Sequence, residues 1–222
     1  EDCAHATGSY YRGKHVGTFG ILGCFSFAAI KNLTTGDGGM IVTDNKPLAE
    51  KLKRLRWSGI SKDTWRRTGA QKYSWEYDVV EVSGKHQMND IAAAIGLVQL
   101  SKLKTNNQKR SRLTLRYNRF LKDLPWIILP TLKPWAKSSH HNYVIKVASK
   151  IRNKLVDHLT SRGITTGVHY IPSHHYRIYR RFKTQLPVTE KVWREILLLP
   201  LFPTLTYPEQ DQVIKSVQEF KP

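Results

Sequence analysis

The sequence predicts an α/β fold for its first part, followed by a smaller α+β domain. Two observations carry this prediction. Apolar runs bounded by glycine alternate with helix-type segments in the first half, and three prolines, Pro125, Pro130 and Pro134, separate them from a second set of elements. We therefore expect a first domain over residues 1–105 and a second over residues 106–222, linked by a long helix at about 89–122.

Two strands and a helix are predicted in the first half of the chain. Gly20–Phe27 and Gly39–Thr43 are apolar, β-rich runs next to glycines, which is typical of strands joined by a turn. Lys46–Arg56 follows as a helix, with Pro47 suited to its first turn. The aromatic-rich segment Arg66–Val82 has no clear period and is predicted to be irregular.

The long linking helix combines an apolar half with a basic half. Asn89–Leu103 is strongly apolar and has a cap residue at Asn89 or Asp90. Lys102–Lys122 then carries eight basic residues and no acid. On a helical projection one side can be apolar (Leu103, Leu113, Tyr117, Phe120, Leu121), while the basic residues spread over the rest (Lys109, Arg110, Arg112, Arg116, Arg119).

The second half alternates strand-type and helix-type segments of ordinary length. Strands are predicted at His141–Val147 and Thr166–Tyr170, and helices at Ile151–Arg162, Val188–Leu198 and Pro208–Phe220. Gly163 directly follows the first of these helices, where it can end the helix.

Composition and charge limit the classes of function. The chain of 222 residues has 36 Lys and Arg against 17 Asp and Glu, and a net charge of +19 favours anionic partners such as nucleic acid or phosphorylated small molecules. No zinc-finger spacing or RNA-binding motif supports nucleic acid, so the basic tract is interpreted as a solvated helix face. Two cysteines suit a reducing compartment, and no apolar run is long enough for a membrane span. We expect a soluble, cytoplasmic protein.

The chain opens at Glu1-Asp2-Cys3 without a methionine and enters what reads as the end of a strand followed by a turn. This opening predicts an interior start, either of a fragment or of a chain whose front half lies elsewhere.

Lys31 is the first candidate for chemistry. It lies between two apolar strands and is followed by a turn with Asn32, Thr34, Thr35 and glycines. Partial desolvation frees a lysine amine to act as a nucleophile or base, and such lysines form Schiff bases with carbonyl compounds. On these residues alone, a surface lysine in a polar turn is the favoured interpretation.

Five motifs, which follow one another in a fixed order along the chain, bear on the role of Lys31. They are EDCAHATGSYYRGKHVGTFG, CFSFAAIKNLTTGDGGMIVTDN, GKHQMNDIAAAIGLVQL, VHYIPSHH and LLLPLFPTLT. Together they resemble the catalytic and C-terminal portions of the DegT/StrS sugar aminotransferases, which are fold-type I enzymes dependent on pyridoxal 5'-phosphate. The resemblance implies part of a large domain with a mostly parallel sheet, followed by a small C-terminal domain. It covers nearly all of the chain, without the family's N-terminal portion.

The resemblance implies a role for each matching position. Lys31 matches the lysine that binds pyridoxal phosphate as a Schiff base and then moves the proton. Asp2 matches the acid that pairs with the pyridine nitrogen, which keeps the ring electron-withdrawing. His5 matches the residue against the ring and its 3-hydroxyl, and Ser26 matches a hydroxyl that holds the phosphate. Lys85 matches the position that reaches the phosphate of the neighbouring subunit's cofactor, which implies a homodimer with a shared active site.

The resemblance also implies the substrates. They are an amino-acid donor, usually glutamate, and a nucleotide-diphosphate keto sugar. His169 and His174 lie in the segment that is near the sugar in the family. The spacing of His169, His174 and His175 could indicate a metal, but no cysteine or acid cluster in the sequence completes a ligand set, so no metal is predicted.

Two other classes of function stay open at this stage. A non-catalytic family member would bind pyridoxal phosphate or a sugar nucleotide as a regulator or scaffold. A basic nucleic-acid-binding module would bind DNA or RNA with a strong dependence on salt.

Overall fold

The structure, a computed structural model, describes residues 1–62, 75–182 and 184–222. The chain divides into two compact units, Glu1–Lys104 and Thr105–Pro222. Of the segment predicted to be irregular, residues 66–74 lie outside the described residues, and residues 75–82 contain only an isolated bridge from Val79 to Ile60.

The first unit is built around a small sheet. Strands β1 (Tyr10–Tyr11) and β2 (Lys14–His15) form a hairpin. Strand β3 (Gly23–Ser26) pairs antiparallel with β4 (Gly39–Val42), so both predicted strands are confirmed. The start of the chain adds a parallel bridge from Asp2 to Cys24 of β3.

Both predicted helices of the first half are confirmed. Helix α1 (Lys46–Leu55) begins after Asn45, whose side chain accepts a 2.9 Å hydrogen bond from the Leu48 N–H. Helix α2 (Asp90–Leu121) is one continuous element of 32 residues. Asn89 caps it, because its Oδ1 accepts from the Ala92 N–H at 2.8 Å.

The second half of α2 is amphipathic, with two exceptions to the predicted pattern. Leu113, Tyr117 and Leu121 are buried as expected. Phe120, predicted on the apolar side, is 40% exposed, and Arg110, predicted among the solvated cations, is only 6% exposed. The periodicity was therefore wrong for these two positions.

The burial of Arg110 has a clear cause. Its Nη1 donates to the backbone oxygens of Leu201 at 2.8 Å and His141 at 3.1 Å. Burial lowers the pKa of the Arg110 guanidinium. These acceptors lie 31 and 91 residues away along the chain, so no local pattern could have revealed them.

The second unit contains a three-stranded antiparallel sheet in the order β5 (Ile127–Ile128), β7 (Tyr143–Val147), β8 (Ile196–Leu199). The remaining elements are β6 (Ala136–Lys137), α3 (Ser149–Thr160), two short 3₁₀ helices (Ser173–His175 and Arg180–Phe182), α4 (Pro187–Glu195) and α5 (Tyr207–Gln218).

Two sequence predictions in this unit were wrong. Residues 196–198, predicted as the end of a helix, form β8, because pairing with β7 satisfies their backbone groups. A short apolar run of this kind does not distinguish a helix from a buried strand. Thr166–Tyr170 is not a strand, since only Gly167 bridges to Leu198.

One apolar core holds the second unit together. Leu155 and Leu159 of α3, Ile145 of β7 and Val217 of α5 are fully buried in it. Tyr117 stacks on Tyr143 with ring centroids 4.7 Å apart, and burial raises the pKa of both phenols.

In the part of the chain that the structure describes, no helix has the length and apolar character required to cross a membrane. Cys3 and Cys24 are both free thiols.

Candidate functional site

Asp2 is positioned by pairing of its strand segment with β3. The Cys3 N–H donates to Cys24 O at 2.8 Å, and the Cys24 N–H donates to Glu1 O at 2.9 Å. The residue that the sequence assigns to the pyridine nitrogen therefore lies directly beside the strand that carries Ser26.

Asp2, Cys24 and Ser26 face the same side of this sheet. Paired residues on adjacent strands point to one face, and so do residues two apart on one strand. Cys3 and Phe25 point to the other face, where a Cβ added to Gly17 would lie 3.4 Å from the Cys3 sulfur and 2.6 Å from Phe25 Cζ. Asp2 and Cys24 are exposed, so the face that carries Asp2 and Ser26 is open.

The Asp2 carboxylate is oriented but not neutralised. Its Oδ1 accepts the Ala4 N–H at 3.0 Å, which closes an Asx turn. Within residues 1–62, 75–182 and 184–222, no cation forms an ion pair with this carboxylate. His5 follows in the next turn, where the Ala6 N–H donates to Cys3 O at 2.9 Å, and its side chain is exposed.

Glu1 holds the adjacent loop and was missed by the sequence reasoning. Its carboxylate accepts from the backbone N–H groups of Gly17 at 2.9 Å, Phe19 at 2.5 Å and Gly20 at 2.7 Å. These donors, that of Gly20 most of all, lower the pKa of the Glu1 carboxyl. An acid next to Asp2 was visible in the sequence, but the donors it binds become apparent only in the fold.

Lys31 lies in a closed loop that leaves β3 and returns to β4. The Lys31 N–H donates to Ala28 O at 3.0 Å. The Phe27 N–H donates to Gly38 O at 2.8 Å, and Phe27 O accepts from the Thr35 N–H at 2.9 Å, so Phe27 joins the start of the loop to its end. The loop is anchored by side chains buried to below a tenth of their area (Asn32, Leu33, Thr35). The backbone around Lys31 is thus fixed by hydrogen bonds and burial.

The Lys31 amine itself is uncommitted. The side chain is half-buried, and in the described part of the chain no hydrogen bond or ion pair engages its Nζ. Ser26 Oγ accepts a long 3.4 Å contact from the Ala28 N–H, which leaves its O–H free to donate. The fold therefore brings Asp2 and Ser26 onto one face of the sheet, and it places Lys31 in the loop that follows β3.

Lys85 lies elsewhere in the first unit. It forms an antiparallel bridge with Trp57, and its Nζ lies 5.9 Å from the centre of the indole ring. Its side chain is exposed, and none of its hydrogen bonds or ion pairs among the described residues involves Asp2, Ser26 or Lys31.

The two histidines assigned to substrate lie in the second unit and have different surroundings. His169 stacks flat on Tyr170 with ring centroids 4.5 Å apart, and its Nδ1 has no hydrogen-bond partner among the described residues. His174 Nε2 donates to Glu190 Oε1 at 3.0 Å. This hydrogen bond is the main reason why the pKa of the Glu190 carboxyl is lowered.

A cleft of about 520 Å³ adjoins His174. Tyr170, Tyr179 and Phe182 form aromatic walls, and Leu186 and Thr189 complete it on the side of α4. Flat apolar walls with a few polar groups are typical of small-molecule sites. His169 does not line this cleft, so only one of the two predicted substrate residues does.

Comparison with known proteins gives one consistent family. The model of the DegT/DnrJ/EryC1/StrS aminotransferase family matches residues 1–218. The uncharacterized protein MJ1066 of Methanocaldococcus jannaschii is 39% identical over 227 residues, which cover 99% of this chain and 58% of MJ1066.

Solved structures agree. PseC from Helicobacter pylori, an aminotransferase involved in the biosynthesis of pseudoaminic acid, is 35% identical with a TM-score of 0.88, and the match covers 98% of this chain and 58% of PseC. The putative sugar aminotransferase Spr1654 from Streptococcus pneumoniae, in its PMP form, is 29% identical with a TM-score of 0.86, and the match covers 97% of this chain and 57% of Spr1654.

The chain thus spans less than three fifths of the length of each of these relatives. The chain has the fold of the matching part of these pyridoxal-phosphate aminotransferases, so the predicted fold class is confirmed. Because the family model matches almost every residue, the chain belongs to the DegT/DnrJ/EryC1/StrS aminotransferase family.

Proposed function

We propose that this protein is a pyridoxal-phosphate-dependent aminotransferase that moves an amino group from glutamate to the keto group of a nucleotide-linked sugar. The observation that carries the proposal is the arrangement of Asp2, Ser26 and Lys31 in a chain that belongs to this family. Asp2 and Ser26 share one open sheet face, and Lys31 follows in a loop whose backbone is fixed.

The residues present fit pyridoxal phosphate chemically. Asp2 retains a carboxylate oxygen that can accept a hydrogen bond from a protonated pyridine nitrogen. Ser26 retains an O–H that can donate to a phosphate oxygen. When bound, the cofactor supplies an electron-withdrawing ring that stabilises negative charge at the carbon which loses or gains the amino group.

Lys31 has two tasks in this proposal. Its Nζ would hold the cofactor covalently, and as a free amine it would move a proton at the substrate carbon. Both tasks need an amine that is not held in an ion pair, and no ion pair engages this Nζ within the part of the chain that the structure describes. The backbone hydrogen bonds of the loop fix the position of the Lys31 Cα, which reduces the number of positions that its amine can reach.

The substrate and assembly are further parts of the proposal. His174 at the aromatic cleft is assigned to the sugar, and so is His169, whose Nδ1 has no partner among the described residues. Residues 105–222 hold 21 Lys and Arg against 7 Asp and Glu, a net charge of +14 that favours a diphosphate-bearing substrate. Lys85, which is exposed and has no acidic partner among the described residues, is assigned to the phosphate of a second subunit's cofactor in a homodimer.

The covalent role of Lys31 is tested by borohydride trapping in the intact protein. After incubation with pyridoxal phosphate and reduction, mass spectrometry should find the pyridoxyl group on the peptide that contains Lys31. Lys31→Ala should abolish this adduct, and Lys51→Ala, which removes an exposed lysine of α1, should leave it unchanged. An adduct on a different lysine of the wild-type protein would refute the assignment.

The reaction itself is tested with ¹⁵N-glutamate and a nucleotide-linked keto sugar. Transfer of ¹⁵N to the sugar supports the proposal. Trapping at Lys31 without any transfer would instead support the non-catalytic family member. Binding of DNA or RNA that weakens steeply with salt, without a trapped adduct, would support the nucleic-acid-binding module.

A further inference from the structure

A second group of chemically active side chains lies in the second unit, where His174 and His175 meet Glu190. His174 Nε2 lies 3.0 Å and His175 Nε2 lies 3.7 Å from the same carboxylate oxygen, Oε1. One ligand atom from each of the three residues lies within 4.8 Å of the other two. The sequence offered no acid near these histidines, but the fold supplies one from 16 residues further along the chain.

Two of the three separations in this cluster fit ligands around one metal ion. A tetrahedral zinc ion with bonds of about 2.0–2.1 Å holds its ligand atoms about 3.3 Å apart. The observed separations of 3.0 and 3.7 Å bracket this value. Two imidazole nitrogens and a carboxylate oxygen are also the donor types that zinc and similar divalent transition metals bind.

The cluster is positioned by its neighbours. Arg194, one turn further along α4, donates to the other carboxylate oxygen, Oε2, at 3.1 Å. Oε1 is the oxygen that faces both histidines, and a bound ion would take the place of the proton through which His174 Nε2 contacts it. The His175 ring packs edge-on against Trp193, with centroids 5.4 Å apart, and Glu190 lies in the first turn of α4.

Partial burial makes these three side chains better suited to bind a metal than histidines on an open surface. The side chains of His174, His175 and Glu190 are 11%, 33% and 24% exposed, so each ligand has lost part of its freedom before an ion binds. Three protein ligands leave at least one position of a four-coordinate ion open to water or another ligand.

We propose that His174, His175 and Glu190 form a binding site for a divalent transition metal of the zinc type. The site joins the first 3₁₀ helix of the second unit, Ser173–His175, to the start of α4. His174 also lines the aromatic cleft, so a bound ion lies at the edge of that cleft. The site is inferred from this cluster alone, and it shares with the proposed transfer reaction only His174, which is also assigned to the sugar.

Zinc binding by the intact protein, prepared without a histidine tag and freed of metal with a chelator, tests the proposal. Isothermal titration should show uptake of one equivalent of zinc at this site. His175→Asn and Glu190→Gln should each weaken that uptake at least about tenfold, since each removes a ligand. His86→Asn, which changes an exposed histidine of the first unit, should leave it unchanged.

A second readout separates metal ligation from a structural role. Cobalt(II) in place of zinc should give visible absorption bands in the wild type and in His86→Asn, and His175→Asn should lose them while its circular dichroism stays that of the wild type. The proposal is refuted if zinc uptake does not saturate. It is also refuted if His175→Asn and Glu190→Gln both bind as tightly as the wild type.

Discussion

Replacing Gly17 by alanine should destabilise the first unit by a clash with the strand that carries Ser26. Gly17 has φ +96°, and an added Cβ would lie 2.6 Å from Phe25 Cζ and 2.8 Å from Phe25 Cε2. Ordinary contacts begin at 3.4 Å, so the ring or the loop must move by about 0.8 Å.

The structure allows the two parts of this cost to be separated. A left-handed backbone costs alanine about 1–2 kcal/mol relative to glycine. Overpacking adds about 1–3 kcal/mol, so the expected loss for Gly17→Ala is about 2–5 kcal/mol. Gly13 is the matched control, because its φ is +80° and no atom lies within 4 Å of an added Cβ. Gly13→Ala should therefore cost only about 1–2 kcal/mol.

Urea unfolding followed by circular dichroism gives the free energies of unfolding, and hydrogen exchange of the peptide covering residues 17–27 shows where the loss occurs. Gly17→Ala should be less stable than Gly13→Ala by about 1–3 kcal/mol, with faster exchange along β3. Equal stability of the two variants would refute the clash and, with it, the described packing of Phe25 beneath the candidate site.

Three further predictions concern the second unit. Leu155→Ala should cost about 3–5 kcal/mol because Leu155 is fully buried, whereas Leu115→Ala, at a position 64% exposed, should stay within about 0.5 kcal/mol of the wild type in the same urea assay. Thr206→Ala should cost about 1 kcal/mol and Thr206→Ser much less, since Thr206 caps α5 through the Glu209 N–H. The backbone N–H of Thr206 lowers the pKa of Glu209 below its ordinary value of 4.5, so Glu209 stabilises the fold above that pH. This contribution should disappear as pH falls through the depressed pKa, and an equal acid sensitivity in Glu209→Gln would contradict it.

Local patterns predicted most of the elements because their causes are local. Glycine-bounded apolar runs gave β3 and β4, and the caps at Asn45 and Asn89 lie where the sequence placed the helix starts. The failures have non-local causes. Residues 196–198 become a strand only because β7 is available for pairing, and Arg110 is buried only because distant carbonyls accept its hydrogen bonds.

The candidate site was predicted from motif order rather than from periodicity. That order singled out Asp2, Ser26 and Lys31, and the fold brings the first two onto one sheet face. Glu190 could not be predicted as a neighbour of His174, because α4 must first fold back onto the 3₁₀ helix. Glu1 was overlooked for a similar reason, since an acid gains three backbone donors only when the loop at residues 17–20 closes around it.

The Glu1 contact has a consequence for anion recognition. Converging backbone N–H groups next to glycines form a concave nest that suits phosphate oxygens. Here the side chain of Glu1 already fills that nest, so the hollow at residues 17–20 is closed to any phosphate from outside. A phosphorylated ligand must find its donors elsewhere, and Glu1→Ala would free these three N–H groups to bind an anion.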